Sequence, residues 1–201
     1  MLSRLRAVWG RLMGPLADGL LRLGVTPDQV TIGGTVVSVA LALWLFPTGH
    51  LFLGAILLGV FTVLDTIDGL MARRSGRSGP WGAFLDSTLD RVTDAAILAG
   101  LLVYLWQHHE SAWIAALIAM VAGFLTSYTR AKAESSGLRG DVGMIERAER
   151  LIISLTAAGL AGLGLHVLLP IGMWALAVLG TVTVVQRVVS VYRQTHQEAQ
   201  A

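Results

Sequence analysis

Residues 51–90 read LFLGAILLGVFTVLDTIDGLMARRSGRSGPWGAFLDSTLD, and they change character at position 65. Residues 51–64 carry no charge, whereas residues 65–90 carry four aspartates and three arginines. A helix needs roughly 20 mainly apolar residues to cross a bilayer. The stretch therefore predicts a membrane span with a polar end, followed by a second span whose first turns are acidic.

The rest of the chain has the composition of a membrane protein. Of its 201 residues 54% are hydrophobic and only 14% are charged, and the mean hydropathy is +0.67. These values lie outside the usual range for a soluble domain. Six stretches are long and apolar enough to span, at about 28–48, 51–72, 84–107, 111–137, 146–168 and 170–191. The sequence predicts an all-α integral membrane protein with six transmembrane helices.

The first 24 residues, MLSRLRAVWGRLMGPLADGLLRLG, interleave four arginines with apolar residues. They contain no uninterrupted apolar run of the kind that a cleavable signal peptide requires. Such a pattern is typical of an amphipathic helix that lies at the membrane interface without crossing it. We therefore expect a juxtamembrane amphipathic helix over 1–24, a six-helix membrane domain over 25–195 and a short cytoplasmic tail over 196–201.

The distribution of basic residues predicts the orientation of the spans. The turns near PTGH, QHHESA and LHVLLP contain no Lys or Arg, and all 15 basic residues fall at the alternate ends of the spans. Lys and Arg near spans are biased to the cytoplasmic side. We expect a multi-pass protein of the cell membrane with both termini cytoplasmic. The net charge of +2 adds no information beside this asymmetry, and no basic and aromatic pattern in the sequence indicates a nucleic-acid partner.

The aspartates predict a metal site. Asp65 and Asp68 are three residues apart and Asp86 and Asp90 are four apart, so each pair occupies one face of its helix. A helical hairpin would bring all four carboxylates together, where they repel one another unless protons or cations are bound. A helix cap accounts for one such residue but not for four at this spacing. Hard divalent ions such as Mg²⁺ prefer oxygen ligands and leave positions open for phosphate.

The same residues match a known signature. Eight of them stand at its fixed positions, in the order Asp65-x-x-Asp68-Gly69-x-x-Ala72-Arg73, eight residues, Gly82-x-x-x-Asp86-x-x-x-Asp90. This pattern resembles that of the CDP-alcohol phosphotransferase family. The resemblance implies transfer of a phosphatidyl group from CDP-diacylglycerol to an alcohol, with release of CMP. It also implies two Mg²⁺ ions, replaceable by Mn²⁺, bound by Asp65, Asp68 and Asp86, with Asp90 as a metal ligand or general base.

The resemblance also implies contacts to the CDP-lipid. The residues at the corresponding positions are Asp28, Gln29, Val30, Thr31, Gly69, Arg73 and Gly79. The guanidinium of Arg73 would face the phosphates. One departure concerns Gly79, because related sequences often carry Ser or Thr there, whereas this chain has Ser78 beside it. Asp28 also fits the start of a helix, which alone would explain its presence.

A second basic stretch, SYTRAKAESSGLRGDVGMIERAERL at 127–151, predicts the acceptor site. We expect the acceptor to be bound by Arg130, Lys132, Arg147, Arg150 and Arg187. The positive-inside bias accounts for part of this charge. The stretch resembles that of the actinobacterial phosphatidylinositol phosphate synthases, which implies inositol 1-phosphate (1D-myo-inositol 3-phosphate) as the acceptor. A phosphorylated acceptor requires cations, whereas free inositol or serine would not.

Other functions stay open at this point. Glycerol 3-phosphate as the acceptor would make the protein a phosphatidylglycerophosphate synthase, and other CDP-alcohol phosphotransferases are alternatives. A divalent-cation transporter would also use acidic residues, although it would place them near the bilayer midplane. A membrane scaffold gives no reason for four acids at fixed spacing. Small residues such as Gly33 and Gly100 permit close helix packing or a dimer face, and we expect a homodimer in membrane lipid.

Overall fold

The computed structural model describes residues 13–198, and every regular element in that range is a helix. The all-α prediction is confirmed. The helices are α1 (13–22), α2 (Pro27–Leu45), α3 (Leu51–Ser75), α4 (Pro80–Gln107), α5 (Trp113–Ser135), α6 (Arg147–Gly162) and α7 (Leu168–Glu198). Residues 1–12, which hold half of the predicted interfacial helix, and 199–201 of the predicted tail lie outside the described residues.

Within residues 13–198, four helical segments are long and apolar enough to cross a membrane by length and composition. They are α2, α3, α5 and Leu168–His196 within α7. The other two predicted spans differ for identifiable reasons. Helix α4 has 28 residues but carries four charged residues among its first 15. Helix α6 has only 16 residues and ends at Gly162, shortly before Gly164 adopts a φ of 101°. This left-handed conformation stops the helix before the predicted limit of 168.

The chain forms two compact units, which are residues 13–41 with 57–93 and residues 42–56 with 94–198. In the first unit α1 packs against the last turns of α3 through the buried Ala17, Ile67 and Met71. Arg74 on α3 reinforces this packing, because its guanidinium lies 2.5 Å from the Asp18 carboxylate and donates to the Gly14 carbonyl at 3.0 Å. The described part of α1 is therefore fixed to the helix that bears Asp65 and Asp68.

In the second unit α7 packs against α5 and α6 at positions where side chains are small. A methyl group at Gly172 would lie 2.6 Å from the Cβ of Ala157 on α6. A methyl group at Gly180 would lie 3.0 Å from the Cβ of Ala122 on α5. Glycine and alanine therefore let these helices approach closely, as is usual for helices in membranes. Met173, between these two glycines, is fully buried.

The α5–α6 loop, residues 136–146, is held to α7 at three points. The Gln194 side chain bonds both backbone groups of Arg139, accepting from its N–H and donating to its carbonyl, each at 2.9 Å. Arg187 donates from Nε to the Val142 carbonyl at 2.8 Å. The Thr183 hydroxyl accepts the N–H of the buried Ile145 at 3.2 Å. The conformation of the loop is thus determined by polar side chains on one face of α7.

Candidate active site

Three carboxylates of the first unit converge between α3 and α4. One oxygen each from Asp65, Asp86 and Asp90 lies within 4.8 Å of the others. Asp86 is exposed, and the other two are half-buried. The spacing of four residues on α4 and the hairpin with α3 bring together these three of the four carboxylates that the sequence predicted to cluster. All three donors are carboxylate oxygens, which fit a hard divalent cation such as Mg²⁺ or Mn²⁺.

Asp68 makes different contacts from those three residues. It is only 8% exposed, and its Oδ2 accepts a hydrogen bond of 2.5 Å from the Thr31 hydroxyl on α2. Its other oxygen accepts the backbone N–H of Gly69. The carboxylate therefore links α3 to α2 beside the acidic cluster. Its role as a further metal ligand stays a prediction.

A cavity of about 210 Å³ opens beside these aspartates in the same unit. Its wall includes Asp68 and Asp86, and also five of the seven residues predicted to contact the CDP-lipid, namely Asp28, Thr31, Gly69, Arg73 and Gly79. Ser78, the neighbour of Gly79, lines it as well. A cationic side chain and acidic side chains thus face one cavity, which is what a metal-bound diphosphate requires.

The other two predicted lipid contacts have structural roles in α2. The Gln29 side chain accepts the N–H of Thr26 at 2.9 Å, and the Thr26 hydroxyl accepts the N–H of Gln29 at 3.3 Å. This reciprocal pair is a capping box that starts the helix. Val30 packs against the buried cluster of α1 and α3. Neither side chain lines the cavity.

Sequence reasoning missed Trp81, which lies at the start of α4. Its indole Nε1 donates to the Asp28 carboxylate at 2.9 Å, and its ring stacks on Phe84 with centroids 6.1 Å apart. The contact joins α2 to α4 at the cavity residue Asp28. Only the position of the tryptophan directly after Pro80 was visible in the sequence, and an exposed aromatic residue there has many explanations.

In the second unit, three of the predicted acceptor residues form a linked network. Arg147 donates from Nε to Asp94 Oδ1 and Arg150 donates from Nη2 to Asp94 Oδ2, each at 3.1 Å. Arg150 also donates from Nη1 to the Thr126 hydroxyl at 3.1 Å, and Arg187 donates to the Thr126 carbonyl. Asp94 was not predicted, although it follows Asp90 at the same four-residue spacing that relates Asp86 to Asp90.

The remaining two predicted acceptor residues lie in different surroundings. Arg130 donates to the Glu134 carboxylate at 2.9 Å and lies 3.9 Å from that of Glu146, and its side chain is 46% exposed. Water screens such pairs, so they add little to stability. Lys132 lines a cavity of about 200 Å³ between α5 and α7, together with Arg187. Arg187 is therefore common to the network and to this cavity.

Comparison with known proteins identifies the family. The family model described as CDP-alcohol phosphatidyltransferase matches residues 24–186. The phosphatidylinositol phosphate synthase of Cutibacterium acnes is 48% identical over 203 residues, which cover 96% of this chain and 98% of that protein. The crystal structure of the Mycobacterium tuberculosis phosphatidylinositol phosphate synthase with CDP-DAG bound gives a TM-score of 0.87 at 49% identity, covering 90% and 94% of the two chains.

A second structure of the same mycobacterial enzyme contains manganese and citrate. It gives a TM-score of 0.84 at 49% identity and covers 89% of this chain and 88% of that one. The similarity therefore extends over nearly the whole of both proteins.

Proposed function

The chain belongs to the CDP-alcohol phosphatidyltransferase family, and from this premise we propose that it transfers the phosphatidyl group of CDP-diacylglycerol to inositol 1-phosphate. The products are phosphatidylinositol phosphate and CMP. The observation that carries the proposal is the cavity of the first unit, where Asp68, Asp86 and Arg73 face one space beside the Asp65, Asp86 and Asp90 cluster. Relatives that share about half of its residues are named phosphatidylinositol phosphate synthases, which supports the choice of acceptor.

Divalent cations are part of the proposal. Asp65, Asp86 and Asp90 would hold Mg²⁺, or Mn²⁺ in its place, and Asp68 would complete a two-ion site. The manganese in the mycobacterial structure supports a metal requirement. When bound, such ions neutralise the diphosphate and make its phosphorus more electrophilic.

The protein residues then have separate tasks. Arg73 binds the diphosphate, Asp28 and Thr31 position the nucleotide, and Gly69 leaves room for it in the cavity wall. The half-buried Asp90 accepts the proton of the acceptor hydroxyl. The alcohol oxygen forms a bond to the phosphatidyl phosphorus, and the bond from that phosphorus to the CMP oxygen breaks, with its electron pair leaving on CMP.

The arginine network of the second unit supports a phosphorylated acceptor. Arg147, Arg150 and Arg187 are held by protein partners in one connected set. Three guanidinium groups and the single carboxylate of Asp94 leave two positive charges, which match a doubly charged phosphate. Lys132 and Arg130 complete the proposed acceptor site. An uncharged alcohol gives no reason for this charge.

We also propose that the domain over 25–195 crosses the membrane six times, with α4 and α6 as the additional spans. Helix α4 carries no charged residue from Ala95 onward, and α6 carries none from Leu151 onward. Helix α5 exposes large apolar residues such as Ile114, Val121 and Phe124, as lipid contact or a homodimer requires. Helix α1 would lie at the interface, and both termini would face the cytoplasm of the cell membrane.

The proposal is tested by measuring CMP release from CDP-diacylglycerol and Mg²⁺ with purified protein. Inositol 1-phosphate, glycerol 3-phosphate, inositol and serine are offered separately. We expect inositol 1-phosphate to give the fastest release, a chelator to abolish it, and Mg²⁺ or Mn²⁺ to restore it. Faster release with glycerol 3-phosphate would instead make the protein a phosphatidylglycerophosphate synthase.

A further inference from the structure

The carboxylate of Asp94 holds two arginines of the proposed acceptor site at once. Oδ1 accepts from Arg147 and Oδ2 from Arg150, both at 3.1 Å. We propose that Asp94 is a positioning residue that orients these two guanidinium groups toward the phosphate of the acceptor. This inference rests on the proposed function, because it gives Arg147 and Arg150 the acceptor as their ligand.

Burial strengthens the interaction between Asp94 and Arg150. The Asp94 side chain is 15% exposed and that of Arg150 is 11% exposed, so solvent screens their interaction only weakly. Arg147 and Arg150 are three residues apart at the start of α6 and therefore lie on one face of that helix. Because each guanidinium uses a different carboxylate oxygen, Asp94 fixes the spacing between them. Removing one member of such a buried ion pair leaves the other charge without compensation.

Arg150 is constrained from a second side as well. Its Nη1 donates to the hydroxyl of Thr126 on α5, a residue that is 1% exposed. The carbonyl of the same threonine accepts from Arg187 on α7. Asp94 is thus one end of a chain of contacts that reaches α4, α5, α6 and α7 within the second unit. A change in the orientation of Arg150 would therefore also disturb Arg187, because both side chains bond to Thr126.

A purely electrostatic role for Asp94 and a positioning role predict opposite changes in the acceptor KM when Asp94 is neutralised. Neutralising Asp94 would raise the positive potential around three arginines and strengthen the binding of a phosphate dianion. Loss of positioning would release two long side chains and weaken that binding. The direction of the change in the acceptor KM therefore separates the two explanations.

The test compares Asp94→Asn with the wild type. Asparagine offers one acceptor oxygen in place of two and turns an N–H group toward the second guanidinium. We expect the KM for inositol 1-phosphate to rise at least about fivefold, as the loss of one charge-assisted hydrogen bond implies. The KM for CDP-diacylglycerol should change less than about twofold, since its proposed contacts lie in the first unit.

Two further variants act as controls. Asp94→Glu keeps the carboxylate and should recover part of the acceptor affinity. Asp141→Asn removes an exposed carboxylate of the α5–α6 loop, so it makes the same change in charge without releasing these arginines. Its acceptor KM should stay the same or fall slightly. Thermal unfolding of each variant in detergent shows whether the protein is folded. If Asp94→Asn is not folded, Asp94→Glu serves as the test in its place.

A double-mutant cycle identifies the residue through which Asp94 acts. In an Arg150→Ala background, Asp94→Asn should raise the acceptor KM much less than in the wild type. Full additivity of the two effects would overturn the inference, and so would an unchanged or lower acceptor KM in Asp94→Asn. If Arg147→Ala and Arg150→Ala themselves leave the acceptor KM unchanged, the proposed acceptor site is wrong and the role of Asp94 falls with it.

Discussion

The two charged regions of this protein are built in opposite ways. In the first unit Asp65, Asp86 and Asp90 place like charges within 4.8 Å of one another. In the second unit Arg147, Arg150 and Arg187 are separated and oriented by protein acceptors, which include the Asp94 carboxylate and the two oxygens of Thr126. The repulsion in the acidic region is therefore offset only when cations or protons are bound, whereas much of the basic region is organised before any ligand arrives.

This difference predicts how each region responds to substitution. Where the ligand offsets the repulsion, loss of one carboxylate disturbs the ion on which the chemistry depends. Where the protein itself holds the charges, loss of one contact changes the affinity for one substrate and leaves the chemistry intact. The acidic region should thus control turnover, and the basic region should control the acceptor KM.

The largest effect is expected for Asp65→Asn, Asp68→Asn and Asp86→Asn, which remove charge at nearly constant volume. CMP release should fall at least about 100-fold in each, because the loss of a metal ligand exceeds the effect of losing a supporting contact. The matched control is Asp18→Asn, whose half-exposed carboxylate pairs with Arg74 in the same unit. Full activity in any two of the three variants would exclude the two-ion site.

Asp90→Asn should also lose turnover, by about 100-fold or more, but through the loss of a general base. Binding of Mn²⁺, followed by its paramagnetic resonance signal, and binding of CDP-diacylglycerol should both persist. If the variant instead fails to bind Mn²⁺, Asp90 is primarily a metal ligand, and its assignment as the base is wrong.

Arg150→Ala and Arg187→Ala should raise the KM for inositol 1-phosphate about tenfold, consistent with the loss of a charge-assisted contact. The KM for CDP-diacylglycerol should change far less. Arg193→Ala is the control, because Arg193 is exposed on the same helix as Arg187. Equal weakening of both substrates would contradict a separate acceptor site.

The smallest effect is expected for Thr126→Val, which removes the hydroxyl bonded to Arg150 but keeps the carbonyl bonded to Arg187. The acceptor KM should rise about twofold to fivefold, as the loss of a single hydrogen bond implies. The matched control is Thr181→Val on α7, because the Thr181 hydroxyl donates to the Ala177 carbonyl of its own helix. A rise as large as that for Arg150→Ala would mean that Thr126 contacts the acceptor itself.

The features that could be predicted from the sequence are those that depend on residues only a few positions apart. Apolar runs predicted the helices, and the spacing of Asp86 and Asp90 together with a tight hairpin predicted the acidic cluster. The hydrogen-bond partners of Asp68 and Asp94 could not be predicted in this way. Thr31 is 37 residues from Asp68, and Arg147 and Arg150 are 53 and 56 residues from Asp94. Such pairs depend on how each helix is rotated about its axis, which hydrophobic periodicity specifies poorly in a chain that is apolar on most faces.

The three contacts that hold the α5–α6 loop to α7 determine how readily a protease can cleave this part of the chain. Arg139 is exposed, and a trypsin-like protease cleaves after arginine once several residues of extended backbone have entered its cleft. Both backbone groups of Arg139 are bonded to Gln194, and Val142 and Ile145 are held a few residues further on. Cleavage after Arg139 therefore requires the loop to detach from α7 first. Its rate would report how often the loop opens, which the exposure of the arginine does not reveal.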